Sequence, residues 1–269
     1  MRMLIRSKFF CCFALVLSFT ASVLHAQDPR QIVQTAVNTE LAASRDDHSL
    51  WRYRDEQRDA NKVSIMVQTA KGSVKRLIER DGAPLTAEEA RAEDARIQGN
   101  IHDPEKMAKQ RRDGAADEKS AAELLNMLPT AFLWRMANEN GDSITLTFSP
   151  NPDFYPPDMQ SRVLSAMAGE LVVDKKQHRI KTISGKLVHD VTFGWGLLGR
   201  MKQGGTFRVE RRELKPGLWQ ITETHVNIVG KALLFKNIGE QQDEVQTDFT
   251  QVPPGTTLEQ AAEMSKAQH

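Results

Sequence analysis

Apolar positions along this chain change their period several times, and each change marks a predicted element. Behind Asp28-Pro29, an N-cap followed by a first-turn proline, Ile32, Val33, Ala36, Val37 and Leu41 fall at helical spacing and predict one amphipathic helix ending near Ala43. From His48 the period is two. Trp51 and Tyr53 alternate with Arg52 and Arg54, then Val63, Ile65 and Val67 alternate with polar neighbours, and Lys71-Gly72 makes a tight connection into Val74 to Arg80. This pattern predicts a three-stranded antiparallel meander, closed by Asp81-Gly82-Ala83-Pro84.

Residues 86–140 read as a helical insert. Thr86-Ala87-Glu88-Glu89 resembles a capping box opening a helix that breaks at Gly99-Asn100, and Asp103-Pro104-Glu105 opens a second, short one that stops at Asp113-Gly114. Both are poor in large apolar residues, so the charged stretch 86–119 reads as solvated helices or a flap. Ala121 to Met136 differs. Leu124, Leu125, Met127, Leu128, Phe132, Leu133, Trp134 and Met136 are too many apolar side chains for a surface helix, and Pro129 is expected to kink or split it.

The period of two returns in Ile144, Leu146 and Phe148. A short helix with Met159, Val163, Ala166 and Met167 on one face follows, with Gly169 past its end. From there to Pro253 only strands and turns are predicted, over 170–174, 180–188, 206–214, 219–229, 232–238 and 245–251. Val229-Gly230-Lys231 is among the turn signals. With the earlier strands this makes about ten in one antiparallel sheet. The tail 254–269 reads as flexible, with a frayed helix from Thr257.

The first 26 residues change how the rest is read. Arg2, Arg6 and Lys8 precede an apolar run from Phe9 to Val23, and polar Gln27-Asp28-Pro29-Arg30 follows, which is the pattern of a cleavable secretory signal peptide ending at Ala26. The run is shorter than the ~20 apolar residues of a membrane span. Cys11 and Cys12 leave with the peptide, so the exported domain, 27–253, has no disulfide and depends on burial for stability. Removing the three basic residues leaves 33 Lys and Arg against 35 Asp and Glu, which argues against a nucleic-acid surface.

The order of elements resembles the periplasmic lipoprotein-carrier superfamily, the LolA/LolB-like proteins that sort lipoproteins to the outer membrane. The most similar stretches are Ala168-Gly169-Glu170-Leu171-Val172-Val173-Asp174, Ile180 to Leu187, Gly204-Gly205-Thr206-Phe207, Pro216-Gly217-Leu218-Trp219, Gly230 to Lys236 and Asp248-Phe249. The resemblance implies an α+β fold, a curved antiparallel half-barrel under a helical lid. It also implies a non-enzymatic function in the periplasm: binding a lipid or the acyl chains of a lipoprotein, for transport to the outer membrane. The charged insert is longer than a typical carrier lid, and the carriers' buried polar residues find no matching positions. A structural or regulatory envelope module that senses lipid or protein without transport is the alternative.

A sheet this wide curls, and its concave face must be filled by side chains, a lid or a ligand. The expected lining is Trp51, Tyr53, Ile65 and Val67 from the meander, Ile144, Leu146 and Phe148 from the next strand, and Leu124, Leu128, Phe132 and Met136 from the lid. The histidines share no metal-ligand spacing, and His189-Asp190 and His225 lack a nucleophile elbow, so neither metal, cofactor nor catalytic group is expected. Phe193 to Gly199, rich in glycine around Trp195, reads either as a turn folded onto the sheet rim or as a tip that touches a membrane or an envelope protein. In an exporting bacterium the mature chain is predicted to begin at Gln27; intact-mass measurement of the periplasmic protein checks this.

Overall fold

Capping side chains set the helix starts. Asp28 accepts the Arg30 N–H at the head of α1 (Pro29–Asp46), Thr86 and Glu89 form a reciprocal capping box at α2 (Ala87–Ile101), and Asp103 accepts from Glu105 and Lys106 at α3 (Pro104–Ala131). The computed structural model describes residues 27–193, 199–232 and 237–266. Its remaining helices are α4 (Met159–Ser165) and α5 (Leu258–Met264). The meander is β1 (Trp51–Gln57), β2 (Lys62–Thr69) and β3 (Gly72–Arg80), with a short β4 (Ala83–Pro84). After α3 come β5 (Phe132–Asn140), β6 (Ser143–Pro150), β7 (Met167–Asp174) and β8 (Ile180–Leu187). β9 (Val191–Phe193), β10 (Gly199–Met201), β11 (Thr206–Lys215), β12 (Leu218–Ala232) and β13 (Asn237–Gln251) complete the set.

Eleven of the strands form one antiparallel sheet in the order β4-β3-β2-β1-β13-β12-β11-β8-β7-β6-β5, which does not close into a barrel; β9 and β10 pair beside β12. The α+β fold with an open, curved sheet is as expected, with one strand more than counted. Its curvature can be bounded from α3. Gln110 of α3 bonds both the N–H and the C=O of Ser73 on β3, at 2.9 and 3.1 Å, and the same helix runs on into β5 at Phe132. That run rises about 33 Å at ~1.5 Å per residue. Along the sheet, β3 and β5 are nine strand spacings apart, roughly 43 Å at ~4.8 Å each. The straight path is shorter than the arc, so the sheet is bowed and α3 is its bowstring.

The β3 edge is sealed by side chains where another strand would sit. Besides Gln110, Arg96 donates to the Lys75 carbonyl at 2.6 Å, and Glu93 accepts the Leu77 N–H at 2.7 Å. Such bonds remove the open ladder that invites edge-to-edge pairing.

α1 is fastened to the bowed sheet by a buried ion cluster. Glu40 takes two 3.0 Å bonds from Arg179, a third from the Ile180 N–H at 2.8 Å and a fourth from Arg211. Arg179 also lies over the Trp219 ring and donates to Gly217. Burial alone raises the Glu40 carboxyl's pKa; the two guanidinium groups and the amide outweigh that and hold it below its ordinary value.

Several expectations need correction. The two helices expected over 103–136 are one, α3, which passes through Gly114 and ends shortly after Pro129; Phe132, Trp134 and Met136 belong to a strand. Pro129 removes an N–H within the last turns, and the last carbonyls find other donors: Trp134 Nε1 on Leu128, and Asn151 on Thr130 and Ala131. Gly230-Lys231 is not a turn but strand interior, paired to β13 on one side and β10 on the other, so the expected strands over 219–238 are merged into β12 and the start of β13. Met167 belongs to β7, not to the helix before it, and Gly169 lies inside that strand.

The tail 254–269 is not loose up to Ser265. A capping box between Thr257 and Gln260 starts α5, whose Ala261 and Ala262 are fully buried against β2 and β3. Arg52 donates to the Met264 carbonyl, and Arg76 reaches Ser265 and the Ala262 carbonyl, so two cations close the helix's C-terminal end.

Ala115→Pro, in the exposed middle of α3, is expected to lower unfolding free energy by about 3 kcal/mol in denaturant titration, with Ala115→Ser near wild type. Glu40→Gln strands the buried Arg179 guanidinium and the half-buried Arg211 and should cost about 3–5 kcal/mol. Because the folded-state pKa of Glu40 is depressed, its contribution is present above the ordinary carboxylate pKa and lost as pH falls through the lower, folded value. Acid titration of stability should therefore be shallower in Glu40→Gln.

Candidate functional site

Strand register decides which side chains share a face, because directly paired residues point the same way. One unbroken row runs Leu146–Leu171–Ile183–Val209–Thr224–Glu244–Gln57 from β6 to β1, and a second runs Phe148–Gly169–Gly185–Phe207–Val226–Gln242. This is the inner face, on which α1 and the end of α3 pack. At Gly185 the rings of Phe207 and Phe148 come within 2.8 and 3.1 Å of where a Cβ would stand, so only glycine lets the two aromatics close over the sheet there.

The residues expected to line one cavity divide into several environments. Leu128, Phe132, Ile144, Leu146 and Phe148 are buried with α1 in the main core, where the Phe132, Trp134 and Phe148 rings meet at centroid distances of 4.6 to 5.8 Å. Leu124 is half-buried on α3, and Met136 is 40% exposed. Trp51 and Tyr53 lie on the inner face against Phe249. Ile65 and Val67 pair with Arg54 and Arg52, opposite in parity to Tyr53, and are therefore on the outer face, in a second core with α2 and α5. A single apolar wall is not what these residues build.

What the inner face carries instead is a gradient. Over β6–β8 it is apolar and covered by α1. Over β11 and β12 it offers half-buried Phe207, Val209, Val226 and Ile228. Over β13, β1, β2 and β3 it turns mostly polar, with Gln242, Glu244, Gln246, Asp55, Ser64, Lys62 and Lys75 beside Tyr53, Met66 and Leu77. Apart from the Arg211–Glu40 bond, the helix contacts of β1–β3 and β11–β13 described above fall on the outer face and the β3 edge.

The polar end is built around Asp55. Its carboxylate is 4% exposed and takes a 2.8 Å bond from Lys75 through Oδ2. Oδ1 is buried without a hydrogen-bond partner, as is Thr222 Oγ1. Asp55 pairs with Gln246 on β13, and Thr222 adjoins Glu223, the last β12 residue paired to that stretch of β13, so the two lie about 10 Å apart across two strand spacings. Beside them the Tyr53 phenol is pushed up to about 12 by burial first, and then by the Asp55 and Glu244 carboxylates. Sequence patterning missed Asp55, which reads as a polar strand end, and Thr222, whose burial arises at a β-bulge opposite Glu210 and Arg211.

His225 does not meet His189-Asp190. Its ring lies between Asp243 at 2.8 Å and Glu223 at 3.4 Å, paired with Arg208 in an ion ladder on the outer face, while Asp190 is engaged by Arg200 and the Gln203 N–H. Among the described residues no group of three or more His, Cys, Asp or Glu is placed to hold a metal, and no helix is long and apolar enough to cross a membrane. The connection 194–198, read as a rim turn or a membrane-touching tip, lies outside the described residues; its flanks pair Phe193 with Gly199 and Gly199 with Ala232.

Spectrophotometric titration is expected to show a phenolate forming near pH 12 that is absent from Tyr53→Phe. Since the folded pKa is raised above the ordinary ~10, the native state retains that proton longer, and stability should fall as pH climbs from about 10 through 12.

Comparison with protein-family models, curated proteins and solved structures yields no match for this chain.

Proposed function

We propose that the protein is an exported, non-enzymatic carrier or receptor for an acyl-bearing amphiphile, a lipid or a lipidated protein, working in the periplasm in the manner of LolA/LolB-like proteins. The observation that carries this reading is the gradient across the inner face. A row that passes from Leu171 and Ile183 through Val209 to Thr224, Glu244 and Gln57 matches the length and polarity of a molecule with an apolar chain and a polar head. On β11 and β12 the apolar strip Phe207, Val209, Val226 and Ile228 stays half-buried, with Phe207 and Ile228 at the margin of the main core. Binding would bury that strip, and each buried aliphatic or aromatic side chain is worth about 1.5–3 kcal/mol.

The apolar chain would lie along Phe207, Val209, Val226 and Ile228, with α3 crossing above. The signal-like leader supports delivery to a compartment where such cargo needs shelter from water.

Native mass spectrometry of protein taken from the periplasm should show a co-purifying acyl-bearing molecule, and an apolar fluorescent dye should bind and be displaced by it. Val226→Asp is expected to weaken dye binding at least ~10-fold, about 1.4 kcal/mol, with little change in unfolding. Val229→Asp, on the opposite side of β12 and 50% exposed, should not. No co-purifying lipid together with no dye uptake counts against the reading.

A further inference from the structure

We propose that Asp55, Lys75 and Thr222 form a head-group subsite at the polar end of the inner face, built to accept the N–H and O–H donors of a primary ammonium or amino-alcohol head. It deepens the amphiphile reading and rests on it for the position of the chain. Two buried polar oxygens without partners, Asp55 Oδ1 and Thr222 Oγ1, stand on β1 and β12, on either side of β13 and about two strand spacings apart. A buried acceptor left unpaired is costly in a folded protein, and a donor arriving with a ligand removes that cost.

Charge selects the kind of donor. The buried Asp55 carboxylate already holds one primary ammonium, Lys75 Nζ at 2.8 Å, and a cationic head can take the same place. Access follows from unequal burial: the Lys75 side chain is 37% exposed while Asp55 is 4% exposed, so Lys75 can swing toward solvent and give up its place over the carboxylate. An ammonium then bonds Asp55, and a neighbouring hydroxyl on the ligand reaches Thr222. Tyr53, kept as a neutral phenol beside them, adds no competing charge.

The test compares heads on one chain length, using dye displacement by dodecylamine, dodecyltrimethylammonium and dodecanol at neutral pH. Dodecylamine should displace dye at ~10-fold lower concentration than the trimethylammonium compound, which has charge but no donor. That ratio should fall toward one in Asp55→Asn and shrink in Thr222→Val, with dodecanol binding unchanged. No amine preference, or a preference that survives both substitutions, overturns the subsite while leaving the groove standing. If no amphiphile binds at all, the groove reading fails, and ethanolamine decides the subsite separately. A shift of the Thr222 methyl NMR signal on adding ethanolamine, lost in Asp55→Asn, supports it, and no shift overturns it. Should Asp55→Asn fail to fold, Thr222→Val carries the comparison.

Discussion

Between its bonds to Ser73 on one edge and its passage into Phe132 on the other, α3 spans a straight path shorter than the sheet it joins. An open sheet of eleven twisted strands has no closure to hold its bend, unlike a barrel, in which every edge is paired. Here the bend is held from both ends of one helix. Its N-terminal turns grip the β3 edge through Gln110, and its C-terminal turns sink Leu128 and Ala131 into the core with α1. The middle, residues 112–119, is exposed along its whole length. A charged, helix-favouring composition therefore suffices there, and the stretch read from sequence as solvated helices or a flap is an exposed helix that serves as a strut.

The second anchor, Glu40 with Arg179 and Arg211, works across a different distance. It ties α1 to the turn before β8 and to β11, so the covered half of the inner face is clamped at the point where cover ends. A fully bonded buried cluster of this kind adds less to stability than its number of bonds implies, since each charge also loses its water. What it fixes is position. Without it, α1 could slide over an apolar surface of Leu and Val side chains that has no directional preference.

Much of this was legible in the chain. Alternation in Ile144, Leu146 and Phe148, the caps at Asp28, Thr86 and Asp103, and the meander from Trp51 to Arg80 all read correctly, because each is local in sequence. Errors arose where tertiary context overrode a local signal. Phe132, Trp134 and Met136 alternate with Leu133 and Arg135, a strand pattern hidden by the helical run before Pro129. Gly230-Lys231 reads as a turn, yet ladders on both sides hold it extended. The short α5 has little propensity of its own and is kept by Arg52 and Arg76, 212 and 189 residues away in sequence from the groups they bond. At the polar site nothing short-range marks Asp55 or Thr222, since their burial comes from register and a bulge.

The error about Ile65 and Val67 is the most instructive, because it explains why a polar site can exist on a face that was expected to be greasy. Strands β6–β8 turn their apolar side inward, under α1 and the end of α3, whereas β2 and β3 turn theirs outward, under α2 and α5. The sheet thus changes the face it buries between one half and the other. Each half has its own core, and neither needs the inner face of β1–β3 to be apolar. That surface is released from the work of stability, which is what permits a carboxylate, a lysine and two unpartnered oxygens to sit in a bowed sheet next to Phe207 and Val226. In a sheet with one continuous core, the same carboxylate and lysine would both have to be buried, with the loss of hydration that a buried ion pair only partly recovers.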